Sequence, residues 1–119
     1  MPEKPAFRGG RNIALKVPAH QFDATIESYR ALKIPIRSKS ESSVCFEFGP
    51  IWLHVDRVTH LSQAEVWLEF ITTDVATSAD VVERAGFVRC DQIEALTEGF
   101  DAFWVSSPAS IVHLVAAEE

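Results

Sequence analysis

The chain has 119 residues, 47% of them hydrophobic, and its 17 acidic against 11 basic residues leave a net charge of −6. That is one domain's length, with enough apolar content to bury a core unaided by metal or disulfide. The acidity excludes nucleic acid as a main partner, because phosphate neutralisation needs clustered Lys and Arg, and no apolar run reaches the roughly 18 residues of a membrane span.

Residues 1–10 hold two prolines and a Gly-Gly pair and read as an irregular N-terminal arm. The arm has no apolar stretch of signal-peptide length, so a cytoplasmic location is expected. From Arg11, Ile13, Leu15 and Val17 alternate with Asn12, Ala14 and Lys16, the period of a half-buried strand ended by Pro18. The period then changes. Phe22, Ile26, Tyr29 and Leu32 form one helical stripe within a helix from about Ala19 to Lys33. Three strands are predicted next, at Ile34–Lys39, Ser43–Phe48 and Ile51–Val58, with a turn at SKSES and a break at Gly49-Pro50.

The order then recurs. Glu65–Thr72 alternates as a strand, and Asp74 or Thr77 can cap a helix carrying Val75, Ala79, Val82 and Ala85, with Gly86 at its stop. Strands follow at Phe87–Ile93, Phe100–Ser106 and Ile111–Ala117. ALKIPIR (31–37) echoes ERAGFVR (83–89), and PIWLHV (50–55) echoes ASIVHLV (109–115), so the repeat has weak sequence support as well as a shared order. The expectation is one α+β domain over 11–117, made of two βαβββ modules at 11–58 and 64–117. Cys45 and Cys90 fit no metal-binding spacing and read as small buried hydrophobes in a reducing compartment.

A strand–helix–three-strand unit occurring twice resembles the glyoxalase/bleomycin-resistance/extradiol-dioxygenase superfamily, also called vicinal oxygen chelate proteins. ESYRAL (27–32) is similar to that family's first-helix text, ERAGF (83–87) to its second-helix exit, and SSPASIVHLV (106–115) stands where its last turn and strand lie. The resemblance implies a mixed β-sheet bent into an incompletely closed cup with the helices outside, often completed by homodimerisation. It also implies up to four metal ligands, from the first and last strands of each module. On the last strands those places hold His54 and His113; on the first strands they hold Asn12 and Trp67, or Glu65 or Glu69 in place of Trp67 if the register is offset by two.

Alternation assigns Ile13, Leu15, Val17, Leu53, Val55, Leu68, Phe70, Val112 and Leu114 to the helix-facing side. Asn12, His54, Trp67, Glu69 and His113 then fall on the opposite side. His54 and His113, with Glu69 or Asn12 as third ligand, would suit Zn, Fe, Ni or Mn, but a catalytic metal generally needs three protein ligands and an open position. Trp52, Trp67 and Trp104 add indole walls, the lining of a pocket for a flat or cationic molecule.

Two readings follow. One is a binding or sequestering protein for an aromatic or cationic small molecule, without a complete metal site and with no cofactor required. The other is a divalent-metal-dependent lyase, transferase or dioxygenase built on His54 and His113. His20 and His60 read as solvated, and no nucleophile elbow or phosphate loop is present.

Overall fold

The computed structural model describes residues 4–118. It is of the α+β class: two helices and nine strands, in the order β1 (Phe7–Gly9), β2 (Asn12–Pro18), α1 (Ala19–Ala31), β3 (Ile36–Lys39), β4 (Ser43–Phe48), β5 (Ile51–Val58), β6 (Glu65–Thr72), α2 (Val75–Arg84), β7 (Val88–Arg89), β8 (Ala102–Ser106) and β9 (Val112–Ala117). The chain divides into two compact units, one spanning Arg11–Trp67 and the other Leu68 onward together with the residues before Arg11. Strand β6 gives its first three residues to the first unit and the rest to the second.

In the first unit the strands run β3-β4-β5-β2-β6, with β2 parallel to β5 and the other neighbours antiparallel. A parallel pair needs a crossover, and α1 with the β3-β4 hairpin supplies it. Helix α1 lays Phe22, Ile26 and Tyr29 on Val17, Val44, Phe46, Leu53 and Val55, with Ile13 and Leu15 at the margin. Burying a Val, Leu or Phe side chain stabilises by about 1.5–3 kcal/mol, so this one face holds the unit together. Leu32, expected on the stripe, is instead the helix C-cap and 73% exposed. The turn behind it closes with Lys33 N–H donating to the Arg30 carbonyl at 2.9 Å and Ile34 N–H to that of Tyr29 at 3.2 Å. This paired-bond exit requires a left-handed residue, and Lys33 takes that role at φ 65°.

In the second unit the order is β6-β9-β8-β7, with β6 parallel to β9 and β1 antiparallel to β6. Helix α2 packs Val75, Ala79 and Val82 over Phe70, Phe87, Phe103, Val105 and Val115, with Phe7 from β1. Its exit repeats the first one: Gly86 N–H donates to the Glu83 carbonyl and Phe87 N–H to that of Val82, with Gly86 at φ 110°.

Three expectations are corrected. Phe7–Gly9 is a strand, held on β6 by register Phe7↔Thr72 to Gly9↔Phe70, where an irregular arm was predicted; residues 1–3 of that arm lie outside the described residues. The strand predicted over Phe87–Ile93 is only Val88–Arg89, followed by a 3₁₀ turn at Asp91–Ile93. The Asp91 carboxylate accepts from Arg89 Nε at 2.8 Å and from the Trp104 amide at 3.1 Å, so a side chain takes up the β8 donor, and the Cys90 N–H still bonds the Trp104 carbonyl at 3.0 Å before the chain turns away. Third, β9 places its side chains on the faces opposite to those expected.

Candidate functional site

The first unit sets out its chemistry in three lateral rows across the face opposite α1. Pairing puts Asn12 beside Trp52, Ala14 beside His54 and Lys16 beside Asp56. Across β4–β5, Glu47 faces Trp52, Cys45 faces His54 and Ser43 faces Asp56. On the other side of β2, Ala14 pairs with Trp67 and Lys16 with Glu65. The rows therefore read Glu47–Trp52–Asn12, Cys45–His54–Ala14–Trp67 and Ser43–Asp56–Lys16–Glu65. The strict polar/apolar alternation of β2 and β5 dictates this, since the other residues of each strand are claimed by α1.

The row at one end is an electrostatic network. Lys16 is 3% exposed, and its Nζ lies 2.8 Å from Asp56 Oδ2. Ser43 Oγ donates to the other Asp56 oxygen at 2.6 Å. The same ammonium sits 4.3 Å above the Trp67 ring, a cation–π contact strengthened by burial, and the Trp67 indole N–H donates to Glu65 at 3.0 Å. This fixes the indole as a wall, itself 6% exposed.

The middle row holds the histidine predicted as a ligand. His54 Nε2 lies 2.8 Å from Asn12 Oδ1. A carbonyl oxygen only accepts, so Nε2 carries a proton. The Cys45 thiol is 4.0 Å from that same nitrogen. His54 thus has no lone pair aimed at the thiol, and burial raises the Cys45 pKa despite the opposing charge of Arg37. A Cys–His nucleophile needs the reverse on both counts. What the row offers is a half-buried imidazole and carboxamide beside Ala14, a position with almost no side-chain bulk.

The second unit treats its histidine differently. Register pairs His113 with Leu68 and with Val105, and Val115 with Phe70 and Phe103. His113 therefore shares the α2 side of the sheet. Its ring stacks on Phe70 at 4.8 Å and meets Phe87 edge-on at 5.4 Å, and Nδ1 donates to the Ile111 carbonyl at 2.9 Å. This corrects the assignment of His113 to the open face. Leu114 stands there instead, beside Glu69 and Trp104. Trp104 is 6% exposed and donates its indole N–H to the Glu94 carbonyl at 3.0 Å. The Glu69 side chain lies so close to Gly10 that a Cβ there would overlap it.

Of the predicted residues, Asn12, Trp52, His54 and Trp67 share the open face of the first unit, and Glu69 and Trp104 that of the second; His113 shares neither. The donor set does not fit a catalytic metal. The first unit supplies one imidazole and one neutral carboxamide, while the second has leucine at the place matching His54. Among the described residues no cluster of three or more His, Cys, Asp or Glu side chains is arranged to hold an ion. Sequence reading passed over two residues, Arg11 and Arg37, whose guanidinium carbons lie 5.1 and 4.2 Å from the Trp52 ring. An open groove of about 580 Å³ lined by Arg89–Ile93 lies elsewhere, and its charged groups, Arg89 and Asp91, are paired at 2.7 Å. No described helix is long and apolar enough to cross a membrane.

The sequence matches no family profile and no curated protein. Solved structures are similar in fold. A hypothetical protein from Bacillus halodurans superimposes with a TM-score of 0.66 at 8% identity, covering 96% of both chains. A variant of homoprotocatechuate 2,3-dioxygenase from B. fuscum gives 0.63 at 15% identity, covering 96% of this chain and 33% of that one. The Mn(II)-bound glyoxalase from Novosphingobium aromaticivorans gives 0.58 at 14%, covering 90% and 38%. The chain thus spans about a third of the length of the last two, and it has the fold of the vicinal oxygen chelate superfamily.

Proposed function

We propose that this protein, on its vicinal oxygen chelate frame, binds an aromatic small molecule without a metal, on the open face of the Arg11–Trp67 unit. The observation that supports this most is the small side chain of Ala14 between His54 and Trp67. Neighbouring strands are about 4.8 Å apart, so His54 and Trp67, one strand to either side, are separated by about 10 Å at their backbones. A flat ring can enter beside His54 and Trp52, both half-buried, with the Asn12 carboxamide near its polar edge. The cationic ligand also weighed from sequence is disfavoured, because both indoles already carry the chain's own cations: Lys16 on Trp67, Arg11 and Arg37 on Trp52.

The test is a titration of intrinsic tryptophan fluorescence with 2-naphthamide and 2-naphthoate, in EDTA and again with excess Mn(II), Fe(II), Ni(II) or Zn(II). Saturable quenching of equal midpoint in chelator and metal, weakened roughly tenfold by His54→Ala, is the expected result. Binding that appears only with added metal would overturn the reading in favour of a metal-dependent enzyme.

A further inference from the structure

We infer that Arg11 and Arg37 form an oxyanion site against Trp52, so that the ligand of the proposed pocket is an aromatic anion; this rests on the binding reading above and narrows it. Both guanidinium groups lie on one indole, at 5.1 and 4.2 Å from its centre, and so within about 10 Å of each other, roughly one Debye length at 0.1 M salt. Two like charges gathered on one ring repel unless an anion joins them. Among the described residues neither arginine has an ion-pair partner, although the other arginines bonded to a carboxylate, Arg8, Arg30, Arg84 and Arg89, show that acidic partners are common in this acidic chain. Glu47, directly across from Trp52 on β4, closes no ion pair with either.

The backbone aims both side chains. The Trp52 amide donates to the Arg11 carbonyl at 2.8 Å, and Arg11 Nε donates to the Pro50 carbonyl at 3.3 Å, which anchors the first guanidinium. Arg37 is the extra residue of a β-bulge: Ile36 pairs with Phe46 and Ser38 with the next residue back, Cys45. A bulge turns a side chain out of the regular alternation and recurs beside binding sites. Here it brings a guanidinium over the indole. Arginine's planar fork matches a carboxylate or phosphate with two parallel N–H donors, and a guanidinium plane can itself stack on the ring that carries the anion.

Two measurements separate this inference from the reading it rests on. The first is thermal melting in sodium phosphate against sodium chloride at equal ionic strength. A phosphate-dependent rise in Tm for the wild type, lost in Arg37→Gln and in Arg11→Gln, is expected; an equal rise in all three proteins overturns the anion site. The second compares 2-naphthoate with 2-naphthamide by fluorescence. Naphthoate is expected to bind about tenfold more tightly, with Arg37→Gln closing the gap between the two. Equal binding of the two by the wild type overturns the anionic ligand and leaves the binding function standing. If neither binds while the phosphate effect survives, the aromatic pocket fails and the site serves a free oxyanion.

Discussion

The two units run the same order of elements and close their helices with the same pair of backbone bonds, yet they place their histidines on opposite faces. In Arg11–Trp67 the imidazole sits outside the core with Asn12, above rows of charge and indole. In the unit after it the imidazole is packed between two phenylalanines on the helix side, and the open face carries Leu114, Ala116 and Ile71. Both units keep a helix-covered core, but the imidazole, carboxamide and buried ion pair stand on the open face of the first, while Glu69 stands on that of the second. Histidine is therefore a poor marker of function here: the same residue type lies outside the core beside Asn12 in one unit and is core filler in the other.

Mutations can break this contrast. The largest effect is expected from Asp56→Ala, which strips a carboxylate from a buried ammonium and should cost about 3 kcal/mol in chemical denaturation. The matching place in the other unit is already alanine, Ala116, and carries no such charge. Next, His113→Ala should lose about 2 kcal/mol of stability, for the stacked ring it removes, and leave naphthoate binding unchanged. His54→Ala should do the reverse, with a small stability change and weakened binding; the opposite pair of results would undo the assignment of roles.

The helix exits sharpen the comparison further. Gly86→Ala forces a side chain into φ 110° and should cost about 1 kcal/mol, whereas Lys33→Gly relieves a left-handed lysine and should gain about 0.5 kcal/mol, both read as shifts in Tm. The smallest effect is on the thiols, with no change in stability. Burial raises both pKa values above that of an ordinary thiol, so alkylation should keep accelerating past the pH where a free cysteine levels off. Cys90, the less buried, should react before Cys45.

Where alternation was sharp, the sequence was easy to read. Strands β4, β5 and β6 have the bounds predicted for them, because polar residues mark one face of each. The run IVHLVAA has apolar residues on both faces, so period-2 reasoning had no phase to lock onto. The echo between PIWLHV and ASIVHLV then aligned the two histidines one residue out of structural register. Only the pairing of His113 with Leu68 resolves the face. Strand β1 was hidden by the prolines before it and the Gly9-Gly10 pair at its end, which signal irregular chain until a partner edge is known. Arg37 was hidden because a bulge depends on pairing rather than composition, and the Lys16–Asp56 pair joins residues 40 apart in sequence.

The bulge at Arg37 also has a genetic reading. Because Ile36 already faces Phe46 and Ser38 already faces Cys45, excising the single intervening codon would leave an unbroken antiparallel ladder between β3 and β4. The hairpin would keep its register and its buried phenylalanine while losing one arm of the anion clamp. Most one-residue deletions within a strand flip every side chain beyond them to the wrong face. Here such a deletion regularises the strand, so a frame-preserving loss can silence recognition and spare folding. A descendant of this chain could shed the proposed anion site in one step, and regain it by a one-codon insertion at the same place.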